Sequence, residues 1–197
     1  SYDSDPVTAL VSGNVDILTL TEEQAQQAQE QDCKILTLND AVTGLLLNPA
    51  SEKLENAALR SLFFKVLNRQ DLLSQRASGV EAQGIMPACV LWDGEPYYAQ
   101  GTQAYTLQDE EAVQGLSSLL NQLDLEKVPS ITVLCVDDPE NVAVVNTFLS
   151  TWNRTLGNAF NLERVSPSEF QSRISSGNYE AALYTLRAGG TTPYDVL

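Results

Sequence analysis

The side chains that most often carry out catalysis are largely missing from this sequence. There is no histidine, which removes the commonest general base and the commonest zinc ligand. A Ser-His-Asp or Cys-His catalytic group is therefore excluded. The three cysteines, Cys33, Cys89 and Cys135, form no CxxC pattern, and their odd number argues against a closed set of disulfides. An enzyme would need a carboxylate or cysteine mechanism without histidine, and no paired set of such residues is present.

Acidic pairs are the next candidates for chemistry. Glu22-Glu23, Glu110-Glu111 and Asp137-Asp138 each lie at the predicted start of a helix, where acids interact favourably with the helix dipole. None has the spacing of an EF-hand calcium loop. The Gly189–Thr192 turn is not a phosphate loop, because the sequence contains no GxxxxGK[ST]. We therefore predict neither a metal site nor a cofactor.

The charge of the chain limits its partners. A formal charge of -15, from 26 acids and 11 bases, disfavours both nucleic acid and anionic lipid. Hydrophobic residues make up 43%, which is normal for a folded domain. No apolar run approaches the roughly eighteen residues that span a bilayer. The first six residues are polar and acidic and do not resemble a signal peptide.

Periodicity and capping signals predict alternating helices and strands. The clearest helix lies in ENAALRSLFFKVLNRQ, where apolar residues recur at helical spacing and Asn68 ends the helix and caps the next turn. A capping box at Thr21, Asp138-Pro139 and Ser166-Pro167 mark three more helix starts. Further helices are predicted at 6–11 and 106–123. Strands are predicted at 15–20, 34–38, 42–47, 131–136, 159–165 and 179–186, and residues 76–105 read as a long loop.

This alternation predicts an α/β fold with a mixed, largely parallel sheet flanked by helices. No linker divides the chain, so we predict a single domain over residues 1–197. Ser12–Asp16 and Ser176–Glu180 are similar to each other. They are either two helix ends that use glycine, or the entries of two strands into one sheet whose carboxyl ends meet at one edge. Ligands gather at that edge in open α/β sheets.

Several motifs, taken in order, are similar to those of a known family. Arg60, Arg69 and Leu72 match a signature of the form V-R-x-A-[apolar]-x-x-A-I-D-R-x-x-L, with Asn68 where Asp is usual. Other family elements have counterparts at Gly13–Ile17, Leu45–Asn48, Gly84–Pro87 and in the last strand and turn. The chain thus resembles extracellular solute-binding proteins of family 5, the oligopeptide, dipeptide and nickel type that serve ABC importers.

The resemblance implies one lobe of a type II periplasmic-binding-protein fold, the ligand-cleft lobe after the first hinge crossing. The partner lobe would be absent from this chain. Binding of a peptide or another small solute would occur by closure of two lobes, without catalysis. The implied partner is the membrane permease of an ABC transporter. The implied state is a monomer that is either an extracellular, cell-surface lipoprotein or a periplasmic protein.

The resemblance also implies where a ligand would bind. One strand end supplies Thr19, Leu20 and Thr21, and the turn after the last strand supplies Leu186, Arg187, Gly189, Gly190 and Thr191. Peptide-binding members carry an aromatic residue and an Asp in that turn, at the positions of Leu186 and Gly189. This sequence therefore lacks the usual partner of the ligand's amino group.

Three explanations follow from that departure. The ligand has no free amine, or Asp195 or a residue of the missing lobe supplies the charge, or ligand binding has been lost. Arg187 with the Gly189 and Gly190 amides suggests a carboxylate or another anion as ligand. The alternative is a solvated Arg beside a flexible turn. If binding has been lost, the fold would serve as a sensor or a protein-interaction module.

Overall fold

The structure is a computed structural model that describes residues 5–82, 84–97, 114–157 and 160–192. The chain forms two compact units, Ser1–Leu38 and Asn39–Leu197. The single domain predicted over residues 1–197 stays a prediction. Among the helices of the described ranges, none combines the length and apolar character needed to cross a membrane.

The first unit contains two capped helices, α1 (Pro6–Val11) and α2 (Glu22–Gln29). The Asp5 carboxylate caps α1 by accepting a hydrogen bond from the Thr8 amide at 2.8 Å. The capping box predicted at Thr21 is confirmed. The Thr21 hydroxyl accepts from the Gln24 amide at 3.3 Å, and the Gln24 side chain accepts from the Thr21 amide at 3.1 Å.

The strands predicted at 15–20 and 34–38 are wrong. Neither segment is a strand, and Ile17 and Leu36 are 90% and 81% exposed. Alternating apolar residues favour an extended backbone, but a strand also needs a neighbour with which to exchange hydrogen bonds. In the part of the chain that the structure describes, neither segment has one.

The similar segments near residues 13 and 177 are two helix ends. Gly13 and Gly177 have φ values of 72° and 71°, which a residue with a Cβ rarely adopts. The following amides, of Asn14 and Asn178, donate back into the helix to Ala9 and Arg173, as in a Schellman motif. Because residues 15–20 are not a strand, the alternative of two strands entering one sheet is wrong.

The second unit is built on a mixed sheet. Its described strands are β1 (Ala41–Leu47), β2 (Leu91–Trp92), β3 (Glu95–Pro96), β4 (Thr132–Val136), β5 (Asn161–Val165) and β6 (Ala181–Arg187). Four of them form one sheet in the order β1-β6-β4-β5. The last three are parallel to one another and β1 is antiparallel to β6. The predicted mixed, largely parallel sheet is confirmed.

The described helices of this unit are α3 (Ala57–Lys65), α4 (Arg69–Leu73), α5 (Leu116–Gln122), α6 (Pro139–Leu156) and α7 (Pro167–Ser176), with a short 3-10 turn at Glu52–Leu54. The cap predicted at Asn68 is confirmed, since its side chain caps α4 by accepting from the Gln70 amide at 2.9 Å. The predicted end of the preceding helix at Asn68 is wrong by a few residues, because α3 ends at Lys65. Of the helix predicted at 106–123, residues 106–113 lie outside the described ranges.

Both faces of the sheet are covered by helices. On one face, α3 and α6 pack against alternate strand residues such as Val133, Ala181 and Leu183. On the other face, Phe170 of α7 packs against Leu134. This alternation follows from the two-residue period of a strand, which sends successive side chains to opposite faces. Because β4, β5 and β6 are parallel, their carboxyl ends lie at the same edge of the sheet, which is called the carboxyl edge below.

Candidate functional site

The turn predicted to bind ligand lies at the carboxyl edge. Leu186 and Arg187 are the last two residues of β6, and Gly189, Gly190 and Thr191 follow directly. Leu186 is half-buried, whereas Arg187 is exposed. The Leu186 and Arg187 side chains point to opposite faces of the sheet, because they are consecutive residues of a strand.

Backbone hydrogen bonds bring two other chain segments to this turn. The Ala188 amide donates to the Asp40 carbonyl at 2.8 Å, just before β1 begins. The Leu91 amide donates to the Thr191 carbonyl at 2.7 Å. The Cys89 amide closes the set by donating to the Asn39 carbonyl at 3.2 Å. Residues 39–40, 89–91 and 187–191 thus form one connected group, called the edge cluster below.

The edge cluster carries one charge of each sign. An Arg187 guanidinium nitrogen lies 3.8 Å from a carboxylate oxygen of Asp40, and the two side chains are 70% and 49% exposed. The pairing of Ala41 with Arg187 sets this proximity. At that distance the groups attract each other through solvent but share no hydrogen bond. Both groups can therefore still form hydrogen bonds with a ligand. The Asp40 carboxylate would repel a purely anionic ligand, which argues against that hypothesis.

A small hairpin, β2 with β3, stands beside the turn. Asp93 and Gly94 connect its strands with φ values of 54° and 85°, the signs that a type I′ turn requires. Trp92 is 47% exposed, whereas Val90 is fully buried. From the sequence, Trp92, Tyr97 and Tyr98 are interpreted as aromatic residues that hold the long loop at 76–105 to the core. In the structure the deeply buried anchors are Val90 and Pro87.

The other predicted ligand residues belong to the first unit. Thr19 is exposed and Leu20 half-buried in the irregular segment before α2, and the Thr21 side chain is engaged in the cap of that helix. Their role in binding stays a prediction, as does that of the turn residues. Asp195, the residue suggested as an alternative source of negative charge, and Tyr98 of the long loop lie outside the described ranges.

The two arginines of the family signature have structural partners. Arg60 donates to the carbonyl oxygens of Leu54 and Glu55 at 2.6 and 2.7 Å and so joins α3 to the turn before it. Arg69 contacts Glu81 at 2.9 Å. Both arginines therefore hold neighbouring segments of the chain together.

Two other features lie away from the edge cluster. A surface groove of about 530 Å³ between α4 and α6 is lined by polar side chains such as Asn146, Ser150 and Arg154, and it includes none of the residues predicted to bind ligand. Among the described residues, there is no group of three or more acids and cysteines arranged to hold a metal ion.

Cys135 in β4 is a buried thiol and not a reactive one. Burial, followed by the charge of Asp137, raises its pKa from 9.0 to about 11. The folded protein therefore keeps the thiol protonated at pH values where the unfolded chain ionises it. The resulting stability is fully present below about pH 9 and is lost as the pH rises toward 11.

We expect the free energy of unfolding to fall more steeply between pH 9 and 11 in the native protein than in Cys135→Ala. The measurement is urea denaturation at several pH values, with Cys33→Ala as the matched control because Cys33 is partly exposed. Equal slopes for the native protein and Cys135→Ala would contradict the burial argument.

Comparison with solved structures finds this fold in transport proteins. OppA of Burkholderia pseudomallei is 21% identical with a TM-score of 0.63, over 81% of this chain and 32% of that one. An oligopeptide ABC transporter substrate-binding domain of Bacillus anthracis is 16% identical with a TM-score of 0.73, over 96% and 38%. A peptide-binding protein of a peptide ABC transporter is 19% identical with a TM-score of 0.70, over 79% and 72%.

Comparison with protein-family models and with curated protein sequences finds no match. The chain spans about a third of the length of the Burkholderia and Bacillus proteins. At these identities the likeness concerns the fold. The chain therefore has the periplasmic-binding-protein-like fold of oligopeptide-type substrate-binding proteins, over a part of their length.

Proposed function

We propose that this chain is one lobe of the solute-binding component of an ABC importer. The edge cluster would form its side of a cleft, and a second lobe would close over a bound peptide or another small solute. The observation that carries the proposal is the convergence of three chain segments and two opposite charges at the carboxyl edge. Open α/β sheets bind ligands at that edge.

The charges favour a ligand class. Arg187 suits a carboxylate and Asp40 suits an ammonium group, and each is at least about half exposed. Peptides and amino acids carry both groups. The absence of an Asp at position 189 does not remove negative charge from the turn, because Asp40 brings a carboxylate from the neighbouring strand.

The remaining parts of the proposal follow from the kind of protein the chain resembles. The solute-binding component would act as a monomer at the cell surface or in the periplasm and would present its closed form to a membrane permease. Closure moves the two lobes as rigid bodies about hinge segments. One lobe supplies only part of the contacts, so we expect tight binding to need the whole protein.

We expect peptides or amino acids to raise the melting temperature of the full-length protein, and sugars, nickel complexes and small anions to leave it unchanged. Binding at a hundredfold excess over Kd adds about 2.7 kcal/mol of stability, which is a shift of several degrees. Asp40→Asn and Arg187→Gln should each weaken binding by about tenfold, measured by calorimetry.

The control for these variants is Arg164→Gln. Arg164 lies at the carboxyl end of β5, two strands away from β6, and forms a similarly exposed pair with Asp137 at 3.5 Å. It should bind ligand as the native protein does. A well-folded full-length protein that no ligand stabilises would contradict the import proposal and favour a sensor or protein-interaction module.

A further inference from the structure

A second cluster of polar side chains lies under the carboxyl edge, on the face of the sheet that α6 covers. Its centre is Arg76, whose side chain is 21% exposed. One guanidinium nitrogen donates to Glu140 at 2.6 Å, and the other donates to the Thr43 hydroxyl at 2.6 Å. The Thr43 hydroxyl lies 2.9 Å from that of Thr185.

The direction of the hydrogen bond between Arg76 and Thr43 follows from the donors available. A guanidinium group only donates, so the Thr43 oxygen accepts from Arg76. The hydrogen of Thr43 is then free to donate to Thr185, its direct partner across the β1–β6 pair. Arg76 thus holds both strands two or three residues from their ends, where Asp40 and Arg187 lie.

The other half of the group fixes the chain after α4. One Glu140 oxygen accepts from Arg76 and the other accepts from the Ala77 amide at 2.7 Å. Glu140 lies in the first turn of α6, where the helix dipole favours a negative charge. The same carboxylate therefore holds the segment that leads toward the β2–β3 hairpin.

We propose that Arg76 is a positioning residue for the carboxyl edge. Through Thr43 and Thr185 it fixes the ends of β1 and β6, and through Glu140 it fixes residues 76–77 against α6. The ligand-binding relevance of this role rests on the proposed function. The positioning itself is a property of the unliganded chain and is tested without a ligand.

The test is amide hydrogen exchange, read residue by residue by NMR, on the native chain and on Arg76→Met. Methionine keeps an apolar stem of similar length but donates no hydrogen bond. We expect the amides of Ala77 and Ala188 to exchange about tenfold faster or more. The amides of Leu134 and Cys135, in the middle of the sheet, should exchange as before.

Two further variants separate positioning from general loss of stability. Thr43→Val keeps the Arg76–Glu140 pair, so it should accelerate exchange at Ala188 and not at Ala77. Arg76→Lys keeps the charge and one of the contacts, so it should restore part of the protection. Arg164→Met is the matched control at the same edge and should change neither amide.

A uniform acceleration across the sheet in both Arg76→Met and Thr43→Val would overturn the proposal, since it would mean a purely global effect. So would equal behaviour of Arg76→Met and Arg164→Met. The exchange test and the ligand test can also give different answers. If the amides respond as expected but the full-length protein binds no ligand, the positioning role is supported and only the proposed function is contradicted.

Discussion

Replacing Trp152 with alanine is expected to lower the free energy of unfolding by about 3–5 kcal/mol. Trp152 lies on α6, is fully buried, and has ring centroids of Phe63, Phe148 and Phe160 at 4.9, 5.0 and 5.4 Å. Alanine would leave a cavity in the centre of the larger core, which close-packed neighbours fill only in part.

A hydrogen bond adds to this cost. The indole nitrogen of Trp152 donates to the carbonyl oxygen of Phe63 at 2.9 Å. Phe63 is in the last turn of α3, where carbonyl groups lack a partner within the helix. The Leu67 amide, which would otherwise reach it, donates to Phe64. Trp152 therefore satisfies a buried group at the end of another helix.

Urea denaturation of Trp152→Ala and Trp152→Phe separates the two contributions. Phenylalanine keeps most of the aromatic volume and loses the donor, so we expect a cost of about 1–3 kcal/mol for that variant. A change below about 1 kcal/mol for the alanine variant would contradict the packing described here. Phe170→Ala, in the smaller core on the other face, should cost less than Trp152→Ala. Among the described residues, Phe170 stacks on one aromatic ring, that of Tyr184 at 6.4 Å, whereas Trp152 contacts three.

Replacing Asn48 with alanine is expected to cost about 2–4 kcal/mol, because one side chain satisfies three backbone groups. Its amide donates to the carbonyl oxygens of Gly177 and Tyr179 at 3.0 and 2.8 Å, and its oxygen accepts from Ala50 at 3.0 Å. Asn48 is 8% exposed, so water replaces these bonds poorly. It joins the end of β1 to the turn between α7 and β6.

Asn68→Ala is the matched comparison for this second prediction. Asn68 caps a helix at a more accessible position, and loss of such a cap costs about 1 kcal/mol. Asn48→Asp should cost at least as much as Asn48→Ala, because a carboxylate would face two carbonyl oxygens. Equal denaturation midpoints for Asn48→Ala and Asn68→Ala would show that burial adds nothing at Asn48.

Local signals in the sequence located the helices well and the edge cluster poorly. The starts at Thr21, Asp138 and Ser166 depend on a side chain and an amide two or three residues away, and all three caps are present. The turn after β6 could likewise be placed, since it follows a strongly apolar strand. These features are decided within a few residues of chain.

Long-range pairing accounts for what the sequence did not reveal. Asp40 reaches Arg187 only because β1 runs antiparallel to β6, and no neighbour of Asp40 encodes that direction. The strands expected at 15–20 and 34–38 fail for the same reason, since their apolar residues say nothing about a partner strand. Arg76 and Glu140 are 64 positions apart and each is unremarkable in its own segment.

The pairing of β1 with β6 also has a consequence for how the chain folds as it is made. Thr43 and Thr185 are 142 positions apart. Among the described strands, β6 is the one that pairs with β1, and it leaves the ribosome only after nearly all of the described chain. Closing so long a loop is entropically costly and slow. Until then the apolar segment Ala41–Leu47 is an exposed strand with a high tendency to associate. We therefore expect nascent chains that stop before residue 181 to need chaperones to stay soluble. Chains that include β6 should stay soluble without them.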